Sequence, residues 1–150
     1  MKPLTLAIRT LPSYEGLPLP EYATPLSAGM DLRCALEGDQ VLDPGQRFMV
    51  PTGICIAIPP GYEGQVRPRS GLAIRLGLGI INSPGTIDAD YRGEIKVPLI
   101  HLGQEPVTLT RGMRIAQLII APVMRIQWQQ SSELPETQRG AGGFGHTGAD

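Results

Sequence analysis

Gly53-Ile54-Cys55-Ile56-Ala57-Ile58-Pro59-Pro60-Gly61-Tyr62 is an apolar, β-branched run of strand length that ends in a Pro-Pro-Gly turn. β-branched side chains pack well on a pleated surface, and Pro-Gly presets the backbone angles of a tight reversal. The same unit recurs along the chain. Glu94-Ile95-Lys96-Val97-Pro98-Leu99-Ile100 and Ile115-Ala116-Gln117-Leu118-Ile119-Ile120 are runs of this kind, and Asp43-Pro44-Gly45 and Ser83-Pro84-Gly85 are turns of this kind. With 19 glycines and 15 prolines in 150 residues, turn signals come at intervals of roughly eight to twelve residues, the spacing of a sandwich or jelly roll. The class is therefore all-β. One short helix is expected, from Gly71 to about Arg75, with Ser70 as its N-cap.

Composition bounds the function. A chain of 150 residues, 41% hydrophobic, makes one compact domain. Its 13 basic residues balance 14 acidic ones, which argues against nucleic acid as partner, because that ligand calls for a clustered basic face. Only Lys2 and Lys96 are lysines and no GxxxxGK[ST] occurs, so a P-loop is excluded. Cys34 and Cys55 have neither CxxC spacing nor a nearby histidine, and read as free buried thiols. The N-terminus lacks the pattern of a signal peptide and no apolar stretch reaches membrane-span length, so no membrane partner and a cytoplasmic setting are expected. Beyond Trp128 the chain turns polar. A core is expected over residues 1–130, and a flexible linker with a glycine-rich lid over 131–150.

Five stretches carry chemistry. In Ser27-Ala28-Gly29-Met30-Asp31-Leu32, Asp31 is either a turn aspartate bonded to its own backbone or a carboxylate that holds waters around Mg2+. Pro68-Arg69-Ser70-Gly71-Leu72-Ala73 heads the expected helix, where Arg69, Ser70 and Gly71 offer a charge, a hydroxyl and open backbone to an anion; an ordinary helix start is the alternative. Asn82, followed by Gly85-Thr86-Ile87-Asp88-Ala89-Asp90-Tyr91-Arg92-Gly93-Glu94, suits a hairpin with a pocket, or else a solvated acidic turn. In the pocket reading Asn82 and backbone amides read a base edge, Asp88 is a general base orienting a water, and Tyr91 packs against a sugar with no room for a 2′-hydroxyl.

The fourth stretch, Arg111-Gly112-Met113-Arg114-Ile115-Ala116-Gln117-Leu118, places the Gln117 amide in an otherwise apolar strand, where it needs partners: a phosphate oxygen and a catalytic water, or neighbouring backbone. Arg111 and Arg114 there are candidates for anchoring strand ends or subunit contacts. The fifth is the tail Arg139-Gly140-Ala141-Gly142-Gly143-Phe144-Gly145-His146-Thr147-Gly148. Arg139 suits a terminal phosphate, Phe144 a planar base, and His146 and Thr147 further phosphate contacts, with glycines for the mobility of a closing lid.

AGMDL, PRSGLA, GTIDADYRGEI, RGMRIAQL and RGAGGFGHTG together resemble the five ordered motifs of the trimeric dUTP pyrophosphatase family, over Ala28 to Gly148. The resemblance implies a β-clip-like jelly-roll subunit with one short helix and a three-fold homotrimer whose active sites are shared between chains. It implies hydrolysis of dUTP to dUMP and pyrophosphate by in-line attack of water on the α-phosphorus, with Mg2+ as cofactor. Asp88 would activate the water; Asn82, the backbone at Thr86 and Ile87, and the wall near Lys96 would recognise uracil; Tyr91 would pack on deoxyribose. Arg69, Ser70, Gly71 and Gln117 would hold phosphates, Asp31 would contact Mg2+ through water, and Arg139, Phe144, His146 and Thr147 would close the site from a neighbouring chain. His146 departs from the serine found in many members. A dCTP deaminase of the same fold fits less well, since Gly71 stands where a second serine is expected; a non-catalytic dUTP-binding paralogue would have lost Asp31, Asp88, Gln117 and Arg139.

Overall fold

The structure, a computed structural model, describes residues 4–143. Its regular elements are almost all strands: β1 (Ala7–Thr10), β2 (Met30–Arg33), β3 (Gln40–Leu42), β4 (Arg47–Pro51), β5 (Ile54–Ala57), β6 (Tyr62–Pro68), β7 (Leu78–Ile80), β8 (Gly85–Ile87), β9 (Lys96–His101), β10 (Val107–Leu109) and β11 (Arg114–Pro122). A single α-helix among the described residues, α1 (Ser70–Leu76), joins β6 to β7, and a 3-10 turn at Pro12–Tyr14 adds a short helical piece not expected from the sequence. All named strand pairs are antiparallel. A four-stranded sheet runs β2-β11-β6-β8 and a three-stranded one β4-β9-β7, with the pairs β1-β5 and β10-β3 beside them. The architecture is the expected all-β jelly roll.

The turns fall where the glycines and prolines put them. Gln46 donates to the Asp43 carbonyl across Pro44-Gly45, and Tyr62 donates to the Pro59 carbonyl across Pro60-Gly61, linking β5 to β6. Pro98 sits inside the central strand β9, a place proline seldom occupies. Its carbonyl still accepts from the Ile81 N–H at 3.0 Å, but it has no N–H to return. The β7 ladder ends one residue earlier, at Ile80. Proline thus trims the edge and turns the chain toward Asn82.

Alternation buries one face of each sheet. Leu32, Val66 and Leu118 face inward from β2, β6 and β11, and Val50, Val97 and Leu99 from β4 and β9. Full burial of one such side chain contributes about 1.5–3 kcal/mol, whereas an exposed ion pair contributes about 0–1 kcal/mol, so the apolar interior holds the fold. Both cysteines are buried and free. Burial pushes the Cys34 thiol above its ordinary range. His101, fully buried, accepts from the Gly103 N–H at Nδ1 and bonds the Glu105 carbonyl through Nε2, which makes it a clasp for its loop. No helix among the described residues is long and apolar enough to cross a membrane.

The helix differs from expectation at its start. The Arg69 carbonyl accepts from the Leu72 and Ala73 N–H groups, so Arg69 is the N-cap and Ser70 the first helical residue, with no side-chain cap. Ser70 loses that role because the preceding extended residue already supplies the first carbonyl of the helix.

Candidate active site

The third stretch is not a hairpin. β8 pairs with β6 and β9 pairs with β4 and β7, so the intervening chain, residues 88–95, is a loop crossing from one sheet to the other. Beneath it opens a cavity of about 370 Å3, lined by Asn82, Thr86, Ile87, Asp88, Tyr91 and Lys96 among others. These six uracil, sugar and water candidates are brought together. Asp88 is exposed at the point where the chain leaves β8, and the Tyr91 N–H donates to the Asp88 carbonyl at 3.1 Å. The Tyr91 hydroxyl donates to the Glu94 carbonyl at 2.9 Å, laying its ring across Gly93. A Cβ at Gly93 would run into that ring, so glycine is required for the close approach.

Asp31, Arg69 and Gln117 line a second cavity of about 300 Å3, with Gly29, Arg67 and Arg114. The register explains it: Asp31, Gln117 and Arg67 are direct neighbours across β2, β11 and β6, so all three leave the same face of the sheet while Leu32, Leu118 and Val66 enter the core. Gln117 is consequently half-buried, not the enclosed amide expected from its apolar neighbours. Asp31 is not a self-bonded turn aspartate. Its Oδ1 accepts from Arg69 Nε at 2.8 Å and its Oδ2 from Arg114 Nη1 at 3.2 Å. Three arginines (Arg67, Arg69, Arg114) against two acids (Asp31, Glu21) leave the cleft net positive, which suits a polyanion.

Other candidates stand apart. Ser70 and Gly71 lie at the start of α1 and line neither cavity; Arg75 folds back to donate to the Gly71 carbonyl at 3.1 Å. Arg111 is a loop anchor, donating to the Leu36 carbonyl at 3.2 Å and the Glu15 carbonyl at 2.6 Å. Arg139 donates to the Gly142 carbonyl at 2.8 Å in a local turn and also lines neither cavity. Phe144, His146 and Thr147 fall outside the described residues.

Two contributors went unassigned in the sequence. Arg114 is expected from sequence only as an anchor of strand ends or subunit contacts, and its ion pair with Asp31 places it in the cleft. Glu94 lines the first cavity, yet its side chain is 16% exposed and ion-paired with Lys96 at 3.6 Å. Its signal was an acid placed between a glycine and an apolar strand.

Among the described residues no group of three metal-ligating side chains occurs.

The dUTPase family model matches residues 15–148. A deoxyuridine 5′-triphosphate nucleotidohydrolase from Maricaulis maris is 54% identical over 150 residues, 99% of each chain. The protein of that name from Desulfotalea psychrophila is 58% identical over 134 residues, 89% of each. The dUTPase of Staphylococcus bacteriophage 80alpha, solved with dUPNHPP, superposes with a TM-score of 0.87 at 26% identity, covering 97% of this chain and 99% of that one.

Proposed function

This chain belongs to the dUTPase family, and on that footing we propose that it hydrolyses dUTP to dUMP and pyrophosphate. The observation that carries the reading is the first cavity, where the exposed Asp88 stands beside Asn82 and the Tyr91 ring. Asn82 and the backbone at Thr86 and Ile87 offer donors and acceptors to a uracil edge, with Lys96 on the wall. Tyr91 lies against the deoxyribose and leaves no room for a 2′-hydroxyl. Asp88, as general base, takes a proton from the water that attacks the α-phosphorus in line, and pyrophosphate departs on the opposite side.

The second cavity takes the phosphates. Arg69 and Gln117 bind their oxygens there, while Ser70 and Gly71, outside that cavity, would offer a hydroxyl and backbone to phosphate from the helix start. Asp31 keeps the arginines aligned and holds the water shell of Mg2+, an ion that neutralises triphosphate charge. The tail, with Arg139, Phe144, His146 and Thr147, acts as the lid, and residues 131–150 form its linker and strap.

The candidate base-facing and phosphate-facing residues line two cavities on one chain, and in the proposed homotrimer each site would combine residues of different copies. Beyond β11, Met124, Ile126, Trp128 and Leu134 are largely exposed, apolar surface that a neighbouring copy would cover. The free buried thiols fit the reducing cytoplasm. Incubation with dUTP, dCTP and UTP plus Mg2+, with pyrophosphate and ammonia measured, tests the reading. Pyrophosphate from dUTP alone is expected; ammonia from dCTP, or an inert dUTP, would overturn it.

A further inference from the structure

We propose that Glu94 is a positioning residue for substrate selection: it ties the Tyr91 ring to the buried Thr52-Gly53 turn and so holds the sugar-facing wall of the first cavity in place. The proposal rests on the dUTPase reading of that cavity.

A carboxylate left 16% exposed requires compensation. Lys96 supplies little of it, because its ammonium is 3.6 Å away and its side chain is 52% exposed. The stronger partner is the Gly53 N–H, which donates to Glu94 Oε1 at 2.9 Å, a charge-assisted bond. Gly53 is a firm anchor. Its φ of +68° suits glycine, and a Cβ there would lie 3.1–3.2 Å from atoms of Ser13, Tyr14 and Ala35. Its carbonyl accepts from the Leu11 N–H at 2.8 Å. Thr52, 1% exposed, donates through Oγ1 to the Ile95 carbonyl at 2.5 Å, and the Ile95 N–H donates to Ile54 at 2.9 Å.

The far end of the 88–95 loop is thus stitched to this turn by one side-chain carboxylate and two bonds at Ile95. Glu94 extends the connection in the other direction, because its own carbonyl accepts the Tyr91 hydroxyl at 2.9 Å. An unbroken path runs from the Gly53 N–H through Glu94 to the Tyr91 ring. Tyr91 is 46% exposed, so core packing alone does not hold its ring. Asp88 is placed from the opposite end of the loop, directly after β8. Loss of the Glu94 carboxylate should therefore loosen the sugar wall and leave the base where it is.

The test is steady-state kinetics on dUTP and UTP, together with amide hydrogen exchange at Gly53. For Glu94→Ala we expect KM for dUTP to rise about tenfold and the preference for dUTP over UTP to fall about tenfold, with kcat changed by less than about threefold. Glu94→Gln keeps an acceptor for Gly53 and should restore both values to within about twofold. Tyr91→Phe should lose the same selectivity, and Glu94→Ala with Tyr91→Phe should be no worse than the poorer single variant, since both cut one path. The Gly53 amide should exchange faster in Glu94→Ala and keep its protection in Glu94→Gln. If Glu94→Ala does not fold, Glu94→Asp, one methylene too short to reach Gly53, takes its place with the same expectations. Unchanged KM and selectivity, additive double-variant effects, or unchanged Gly53 exchange would each overturn the proposal. A wild-type protein inert toward dUTP would instead remove the functional reading, and Gly53 exchange would still decide whether Glu94 anchors the loop to the Thr52-Gly53 turn.

Discussion

The two cavities of this chain are built in opposite ways. The first lies under a loop that crosses between sheets, and its walls include apolar side chains, a tyrosine edge and the exposed Asp88. The second lies on the face of the four-stranded sheet that points away from the core, where cross-strand register sets Asp31, Gln117 and Arg67 in a row and the arginines crowd the acid. A loop cavity can shape itself to a base and a sugar but holds no cluster of cations. A sheet face holds charges at fixed spacing, and here the segment from Glu21 to Gly29 walls them into a cleft. In the proposed function the first would take the base and sugar and the second the phosphates.

The division can be broken most severely at Asp88. Asp88→Asn should lower kcat by about 10²–10⁴-fold with nucleotide binding largely kept; retained turnover would remove Asp88 as the base. If the sites combine different copies, mixing this variant with Arg69→Ala should return activity that neither has alone, and mixed assemblies as inactive as their parents would place both cavities' residues in one copy's site. Deleting residues 139–150 should cut turnover next most strongly, by about 10²-fold, with the assembly unchanged by light scattering. Dissociation on deletion would make the tail structural. A smaller effect is expected in the charged cleft. Asp31→Ala should raise the Mg2+ concentration needed for half-maximal turnover by about tenfold, and an unaltered Mg2+ dependence would confine Asp31 to holding Arg69 and Arg114. The smallest belongs to the frame: Thr52→Val should lower stability by about 1–2 kcal/mol in urea unfolding by leaving the Ile95 carbonyl unsatisfied.

Much of the fold was legible because its signals are local. Pro60-Gly61 and Pro44-Gly45 make their turns wherever they stand, and the β-branched runs form strands because such side chains pack well on a pleated surface. Boundaries slipped where the decisive contact was distant. Glu94 and Ile95 continue the apolar run that becomes β9, yet they bond to the Thr52-Gly53-Ile54 turn and stay outside the ladder. The hairpin expected at Gly85–Glu94 failed for the same reason, since β8 found its partner in β6. Gln117 stood out in sequence as a polar residue among apolar ones, but its half-exposed position depends on which face of β11 meets the core.

By itself the sequence determined the all-β class, the turns, the one short α-helix and the residue types of the site, because backbone propensity and side-chain chemistry belong to each residue and its neighbours. The tertiary structure alone decided that these residues form two cavities, that Arg69 and Arg114 share Asp31, and that Glu94 reaches Gly53. Such pairings join residues 38, 83 and 41 positions apart along the chain. Only register and the packing of sheet on sheet can bring them together.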